Sequence, residues 1–118
     1  MIRIEGVVES GRRLGRELGF PTANLRAEGV PAEDGVYASW AEVDGERYRA
    51  MSNLGSNPSV GGTERRLETH LFGFAGSLYG KILRVELERK IRDERRFATV
   101  EELREQITRD CEYILKLR

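Results

Sequence analysis

The sequence predicts a mainly β protein, a small antiparallel barrel with one helix packed on its outside or across its mouth. A run of about six short segments with strand-like patterns occupies most of the chain. A single amphipathic segment with a helix-start signal then ends it. Strands that come first and a helix that comes last are typical of such a barrel.

The strands are predicted from β-branched residues and from the alternation of apolar with polar side chains. In chain order they span residues 2–8, 22–25, 36–43, 46–53, 66–74 and 78–91. The strongest signal is the pair Asp44-Gly45 between two alternating runs, because these residue types supply the positive φ angles of a type I′ hairpin turn.

Three connections are predicted to be irregular. Arg12 to Leu18 is expected to form at most a helical turn, and Arg26 to Asp34 is interrupted by Gly29 and Pro31. The segment from Leu54 to Thr63 contains further glycines and Pro58. This content predicts a movable flap over a site and no regular element.

The final element is predicted to be a helix from Val100 to about Leu117. Thr99 followed by Glu102 forms a capping box at its start. Apolar residues then recur at helical spacing and form one stripe. They are Val100, Leu103, Ile107, Cys111 and Ile114.

Composition limits the classes of function. The chain has 118 residues, enough for one domain, and its 20 basic and 20 acidic residues give zero net charge. No overall field therefore favours nucleic acid or an anionic membrane. Met1 to Glu9 has no apolar signal-peptide core, and the single cysteine, Cys111, allows no internal disulfide. We therefore expect a cytoplasmic protein, with Cys111 as a structural thiol.

The segment from Gly11 to Leu25, GRRLGRELGFPTANL, combines glycines with arginines. Glycines allow a backbone to approach a bulky anion, and arginines bring positive charge. The spacing is not that of a Walker A loop. From the residues alone, a phosphate loop and an ordinary structural loop are about equally favoured.

Thr22 and Asn24, which follow Pro21, are a candidate pair of metal ligands. Pro21 favours an extended conformation before it, so that two residues spaced by two point to one side. A hydroxyl and a carboxamide oxygen are hard ligands of the kind that Mg²⁺ accepts.

Several motifs occur together and in one order. They are GRRLGRELGFPTANL at 11–25, GVY at 35–37, NLGSNPS at 53–59, ETHLF at 68–72, LYG at 78–80 and IRDERRF at 91–97. In this order they resemble the riboflavin kinase family. The resemblance implies a six-stranded antiparallel Greek-key β-barrel with a C-terminal helix. It also implies transfer of the ATP γ-phosphoryl group to the ribityl 5′-hydroxyl of riboflavin, giving FMN and ADP, with Mg²⁺.

The resemblance also implies roles for particular residues. Glu68 would be the general base, and Thr22 and Asn24 would bind the metal. The residues expected at the ATP phosphates are Gly11, Gly15, Arg16, Gly19, Pro21, Thr22 and Asn24, and those expected at the flavin are Arg92, Glu94 and Phe97. Without the resemblance, Glu68 is interpreted as a solvated strand carboxylate, and residues 92–97 are interpreted as an exposed charged segment that leads into the helix. His70, the only histidine, is given no role.

The chain differs from the family pattern in some respects. Gly73 stands where relatives commonly have Asp, and Ser59 where they have Thr or a bulkier residue, which affects expectations about substrate affinity. No sequence of the FAD-forming adenylyltransferase domain is present. We therefore expect a stand-alone kinase domain over residues 1–118, acting as a monomer on small molecules and not on nucleic acid or membranes. The alternatives are a non-catalytic flavin or nucleotide module and, less favoured, a barrel that binds oligonucleotides.

Overall fold

The computed structural model describes residues 1–9, 19–59 and 62–117, and it leaves out the side chains of residues 57–59, 62 and 63. Within these ranges the chain forms six strands and one helix. They are β1 (Ile2–Val7), β2 (Ala23–Arg26), β3 (Gly35–Val43), β4 (Glu46–Ser59), β5 (Gly62–Leu71), β6 (Ile82–Arg92) and α1 (Val100–Leu115).

The strands form one antiparallel sheet in the order β1-β6-β3-β4-β5-β2. Strands β3, β4 and β5 follow one another, and β6 returns to lie beside β3, which is the Greek-key arrangement. An isolated bridge between Glu9 and Asn24 brings the two ends of the sheet together, with the Glu9 amide donating to the Asn24 carbonyl over 2.8 Å. The predicted six-stranded Greek-key barrel is confirmed, nearly closed and with its helix at the C-terminus.

The β3–β4 hairpin forms as the sequence predicts. Val43 pairs with Glu46, and between them Asp44 and Gly45 have φ angles of 52° and 79°. Alternate residues of the strands point inward and fill the barrel with aliphatic side chains. Those that are fully buried include Leu25, Leu54, Leu67, Leu83 and Val85.

Three hydroxyl groups also lie in the barrel interior. The Ser39 and Ser52 Oγ atoms are 2.8 Å apart, and Ser52 Oγ is 2.8 Å from Thr69 Oγ1. Each side chain is fully buried, and the three come from β3, β4 and β5 in turn. Because the hydroxyls bond to one another, each of these three buried groups has a hydrogen-bond partner.

The prediction that residues 54–63 contain no regular element is wrong for the part that the structure describes. Strand β4 continues to Ser59 and β5 begins at Gly62, with Pro58 opposite Thr63. The pairing of β4 with β3 ends at Gly35 and Leu54, so beyond this point β4 has a neighbour on its β5 side only. A strand edge without a neighbour tolerates proline, because no ladder hydrogen bond is made on that side and the missing N–H therefore costs none.

Trp40 lies on the outer wall of the barrel between two arginines. The guanidinium carbons of Arg47 and Arg49 stand 4.7 Å and 4.5 Å from the centre of its ring. Its indole N–H donates to Glu88 over 3.2 Å, and Arg49 donates to the same carboxylate over 2.7 Å. The Arg49 hydrogen bond holds the pKa of Glu88 below its usual value.

Helix α1 starts and ends close to the predicted residues. The Glu102 amide donates to Thr99 Oγ1 over 3.1 Å, while the Glu102 carboxylate accepts from the Ala98 amide, so the cap is confirmed. Ile114 is fully buried. Cys111 is half-buried, and burial raises the pKa of its thiol to about 11, which suits the expected structural thiol. No helix in the described ranges is long and apolar enough to cross a membrane.

An ion pair fastens the helix to the end of β6. Arg92 donates to both Asp110 carboxylate oxygens, over 2.7 to 3.1 Å, and Gln106 donates to the same carboxylate over 2.9 Å. The Asp110 side chain is 5% exposed and that of Arg92 is 19% exposed. The position of Arg92 is therefore set by the helix.

Asp110→Ala is expected to lower the free energy of unfolding by about 2 kcal/mol, because Arg92 and Gln106 lose a shared buried acceptor. Urea denaturation measures this loss. The matched control is Glu105→Ala, since Glu105 forms an exposed pair with Arg109 at 3.9 Å, and there we expect a change under about 0.5 kcal/mol. Equal effects of the two substitutions would contradict the proposed importance of the Arg92–Asp110 pair.

Candidate active site

A cavity of about 880 Å³ lies between the outer face of the sheet and the segment that enters the helix. The register of β4 and β5 builds its floor, because Met51, Asn53 and Gly55 pair with His70, Glu68 and Arg66. These residues alternate with Ser52, Leu54, Leu67 and Thr69, which point into the core. The cavity is therefore outside the barrel, and its opposite wall is formed by residues 92–107.

Glu68 lies at the centre of this floor. It pairs with Asn24 on β2 and with Asn53 on β4, so all three side chains are on the outer face. Glu68 and Thr22 both line the cavity, and both are half-buried. The structure thus brings together the candidate base and the candidate metal ligands, which are far apart in the sequence.

Asn24 has an unusual environment. Its side chain is 4% exposed, and among the described residues its Oδ1 atom is buried without a hydrogen-bond partner. A buried carbonyl oxygen in this state costs about 1 to 3 kcal/mol unless another group binds it. A carboxamide oxygen of this kind, two residues after a threonine and opposite Glu68 in the β2–β5 pairing, is a hard ligand of the type that Mg²⁺ accepts.

The other residues expected at the phosphates are only partly described. Gly11, Gly15 and Arg16 lie outside the described residues. Gly19 has a φ angle of 90°, a conformation that favours glycine, and Pro21 is exposed with its carbonyl accepting from His70 Nδ1 over 2.8 Å.

The residues expected at the flavin line the opposite wall. Phe97 is half-buried, and the guanidinium carbon of Arg95 stands 5.1 Å from the centre of its ring. Arg92 donates hydrogen bonds to Asp110 and to the Asp93 carbonyl, and within the part of the chain that the structure describes two of its five N–H groups have no other acceptor.

Glu94 approaches the backbone of β4 at Gly55. A Cβ atom placed on Gly55 would stand 2.0 Å from Glu94 Oε1, so glycine is needed for the observed contact. Burial, and then the charge of Asp34, raises the pKa of the Glu94 carboxyl group. Gly55 and Glu94 thus bring the two walls into contact.

Some lining residues were not predicted as site residues. Asn53, Gly55 and Arg66 lie on the floor, and Leu103 and Ile107 of the helix supply apolar surface. Asn53 and Gly55 belong to the NLGSNPS motif, and this motif is the feature of the sequence that could have identified them as site residues. To identify Arg66, Leu103 and Ile107 as lining residues, the sheet register and the position of the helix must be known, and the sequence pattern gives neither.

The chain is similar to known proteins over nearly its whole length. The family model described as riboflavin kinase (flavokinase) matches residues 1–117. The bifunctional riboflavin kinase/FMN adenylyltransferases of Escherichia coli K12 and Haemophilus influenzae are 46% and 41% identical over 91% and 93% of this chain. The RNA-binding riboflavin kinase RibR of Bacillus subtilis is 40% identical over 98% of this chain.

The coverage of these relatives is partial. The chain spans 35% and 36% of the two bifunctional proteins and 51% of RibR. A solved structure named as a macrolide-efflux protein of Streptococcus pneumoniae has a TM-score of 0.90 and 34% identity over 98% of this chain and 39% of that one. The match to the family model over residues 1–117 decides the assignment: the chain belongs to the riboflavin kinase family.

Proposed function

We propose that this chain transfers the γ-phosphoryl group of ATP to the 5′-hydroxyl of riboflavin. The observation that carries the proposal is the pairing of Glu68 with Asn24, whose buried Oδ1 has no hydrogen-bond partner among the described residues. A carboxylate at the floor of a ligand-sized cavity, opposite such an oxygen in the β2–β5 pairing, suits phosphoryl transfer to a hydroxyl, which needs a base and a metal ion that carries the phosphates.

Thr22 and Asn24 are the residues that would hold Mg²⁺ in this proposal. Bound there, the ion would neutralise charge on the ATP phosphates. Both side chains offer neutral oxygens, which leaves the remaining ligand positions to phosphate oxygens and water.

Glu68 would act on the riboflavin hydroxyl. Its carboxylate accepts the hydroxyl proton as the ribityl oxygen forms a bond to the γ-phosphorus, and the bond from that phosphorus to the bridging oxygen of ADP breaks. The proton stays on Glu68 until solvent removes it. Glu68 lines the cavity and is half-buried, so its carboxylate is partly shielded from water.

The flavin ring would bind toward the other end of the cavity, between Gly55 and Phe97. A flat strand surface and an aromatic ring are suitable walls for a planar heterocycle. Arg92, held by Asp110, has N–H groups left to donate to the ring edge or to a phosphate.

The test is incubation of the protein with riboflavin, ATP and Mg²⁺, followed by chromatography for FMN. Formation of FMN with stoichiometric ADP supports the proposal. Binding of riboflavin without FMN formation would instead indicate a non-catalytic flavin module.

Gly55→Ala is expected to weaken riboflavin binding by roughly tenfold, because the new methyl group displaces Glu94 and narrows the space beside Phe97. Quenching of flavin fluorescence on binding measures the dissociation constant. Ser56→Ala is the control, since Ser56 is exposed on the same strand and is absent from the cavity lining. A Gly55→Ala protein with unchanged affinity would place the ring away from β4.

A further inference from the structure

His70 lies on the cavity floor next to Glu68 but contacts a different part of the site. Its Nδ1 atom is 2.8 Å from the carbonyl oxygen of Pro21. A carbonyl oxygen only accepts hydrogen bonds, so Nδ1 carries the proton and donates it. This nitrogen is therefore committed as a donor and is not available to accept a proton from a substrate.

The hydrogen bond lies where the strand ladder stops. The pairing of β2 with β5 ends at Ala23 and Thr69, whereas β5 itself continues to Leu71. Pro21 has no N–H, so its carbonyl is the backbone group by which that residue can be held. The His70 side chain extends the attachment of this segment to β5 beyond the last ladder pair.

Aromatic contacts limit the movement of the imidazole ring. The centre of the Phe20 ring is 5.7 Å from that of His70, in an edge-to-face arrangement at 85°. The Phe72 ring centre is 5.5 Å away. His70 thus holds both Phe20 and Pro21, the two residues that precede Thr22.

We propose that His70 is a positioning residue whose Nδ1–H holds the Pro21 carbonyl and so fixes Thr22 toward the cavity. Thr22 then lies between two held residues, Pro21 on one side and Ala23, in the β2–β5 ladder, on the other. The proposal rests on the proposed function, because it takes Thr22 as the metal and phosphate ligand. It assigns to His70 neither proton transfer nor metal binding.

Three substitutions separate the hydrogen bond from the rest of the side chain. His70→Asn places a carboxamide N–H at the same number of bonds from Cβ as Nδ1. His70→Gln carries the same group one methylene farther, where it misses the carbonyl. His70→Phe keeps an aromatic ring between Phe20 and Phe72 but has no donor.

The first readout is hydrogen exchange of the amides in residues 19–25 of the unliganded protein. We expect exchange about fivefold to tenfold faster in His70→Phe and His70→Gln, the effect of losing one hydrogen bond, and within twofold of wild type in His70→Asn. The second readout is ADP affinity by calorimetry with and without Mg²⁺. The gain that Mg²⁺ gives should fall about fivefold or more in His70→Phe and return in His70→Asn.

The third readout is turnover, which should follow the same order, with the KM for riboflavin unchanged within about twofold. If His70→Phe behaves as wild type, or if His70→Asn is as impaired as His70→Phe, the proposal is overturned. Should His70→Phe fail to fold, the comparison of His70→Gln with His70→Asn decides in the same way. If wild type forms no FMN and Mg²⁺ does not affect its ADP affinity, the proposed function fails. The exchange data still test whether His70 holds the Pro21 carbonyl.

Discussion

Glu68→Gln is expected to lower the turnover number for FMN formation by about 100-fold to 10,000-fold, the usual contribution of a general base. Glutamine keeps the size and polarity of the side chain but does not take up a proton. Binding of riboflavin should therefore survive, with an affinity within about threefold of wild type. Turnover by quenched assay and affinity by flavin fluorescence provide the two measurements.

A suitable control is Glu86→Gln, because Glu86 is also a half-buried strand glutamate but lies on β6 and pairs with Arg47 over 3.0 Å. It should change turnover by less than about twofold. A Glu68→Gln enzyme with a loss under threefold would mean that Glu68 does not take up the proton. In that case the base is another group, and the family assignment is unaffected.

Thr22→Ala and Asn24→Ala are each expected to reduce turnover by at least about 100-fold, because each removes an oxygen that we assign to Mg²⁺ and the phosphates. Raising the Mg²⁺ concentration should recover part of the loss. Titration of activity with Mg²⁺ measures the shift. Wild-type activity in either variant at limiting Mg²⁺ would show that the ligand assignment is wrong.

Stability separates a ligand from a structural polar group at Asn24. Since the Asn24 Oδ1 atom has no hydrogen-bond partner among the described residues, Asn24→Ala removes no hydrogen bond of that oxygen there, and without Mg²⁺ it should lower the unfolding free energy by no more than about 1 kcal/mol. Thr108→Ala is the control for Thr22→Ala, since the Thr108 hydroxyl donates to the Arg104 carbonyl on the exposed helix face. The Thr108→Ala substitution should leave turnover unchanged.

The sequence predicted correctly those elements that depend on a few neighbouring residues. The Asp44-Gly45 turn and the Thr99 cap are each determined by a few adjacent residues, and both are found. The segment from Leu54 to Ser59 was not predicted as strand because glycine and proline lower strand propensity. This segment pairs with β5 on one side and, among the described residues, has no strand on the other, which is why glycine and proline are tolerated in it. Such one-sided pairing is a property of the tertiary structure and not of the local sequence.

The candidate site depends on contacts that no local pattern contains. Glu68 meets Asn24 through the β2–β5 pairing, and Glu94 meets Gly55 across the cavity. The resemblance to a family indicated Thr22, Asn24 and Glu68 together, whereas the residues alone left each with an ordinary alternative. The Arg92–Asp110 pair and the His70 contact to Pro21 appear only in the folded chain.

Trp40 is the only tryptophan of the chain, and its place between Arg47 and Arg49 makes it an optical reporter. The stacked guanidinium groups and the Glu88 hydrogen bond give the indole one environment in the folded state, so its emission should follow unfolding as a single transition. Trp40 is on the same face of β3 as Val36, which lines the cavity, at about 13 Å along the strand. Flavins absorb where tryptophan emits, and at this separation energy transfer allows the native protein to register an occupied cavity without an added label.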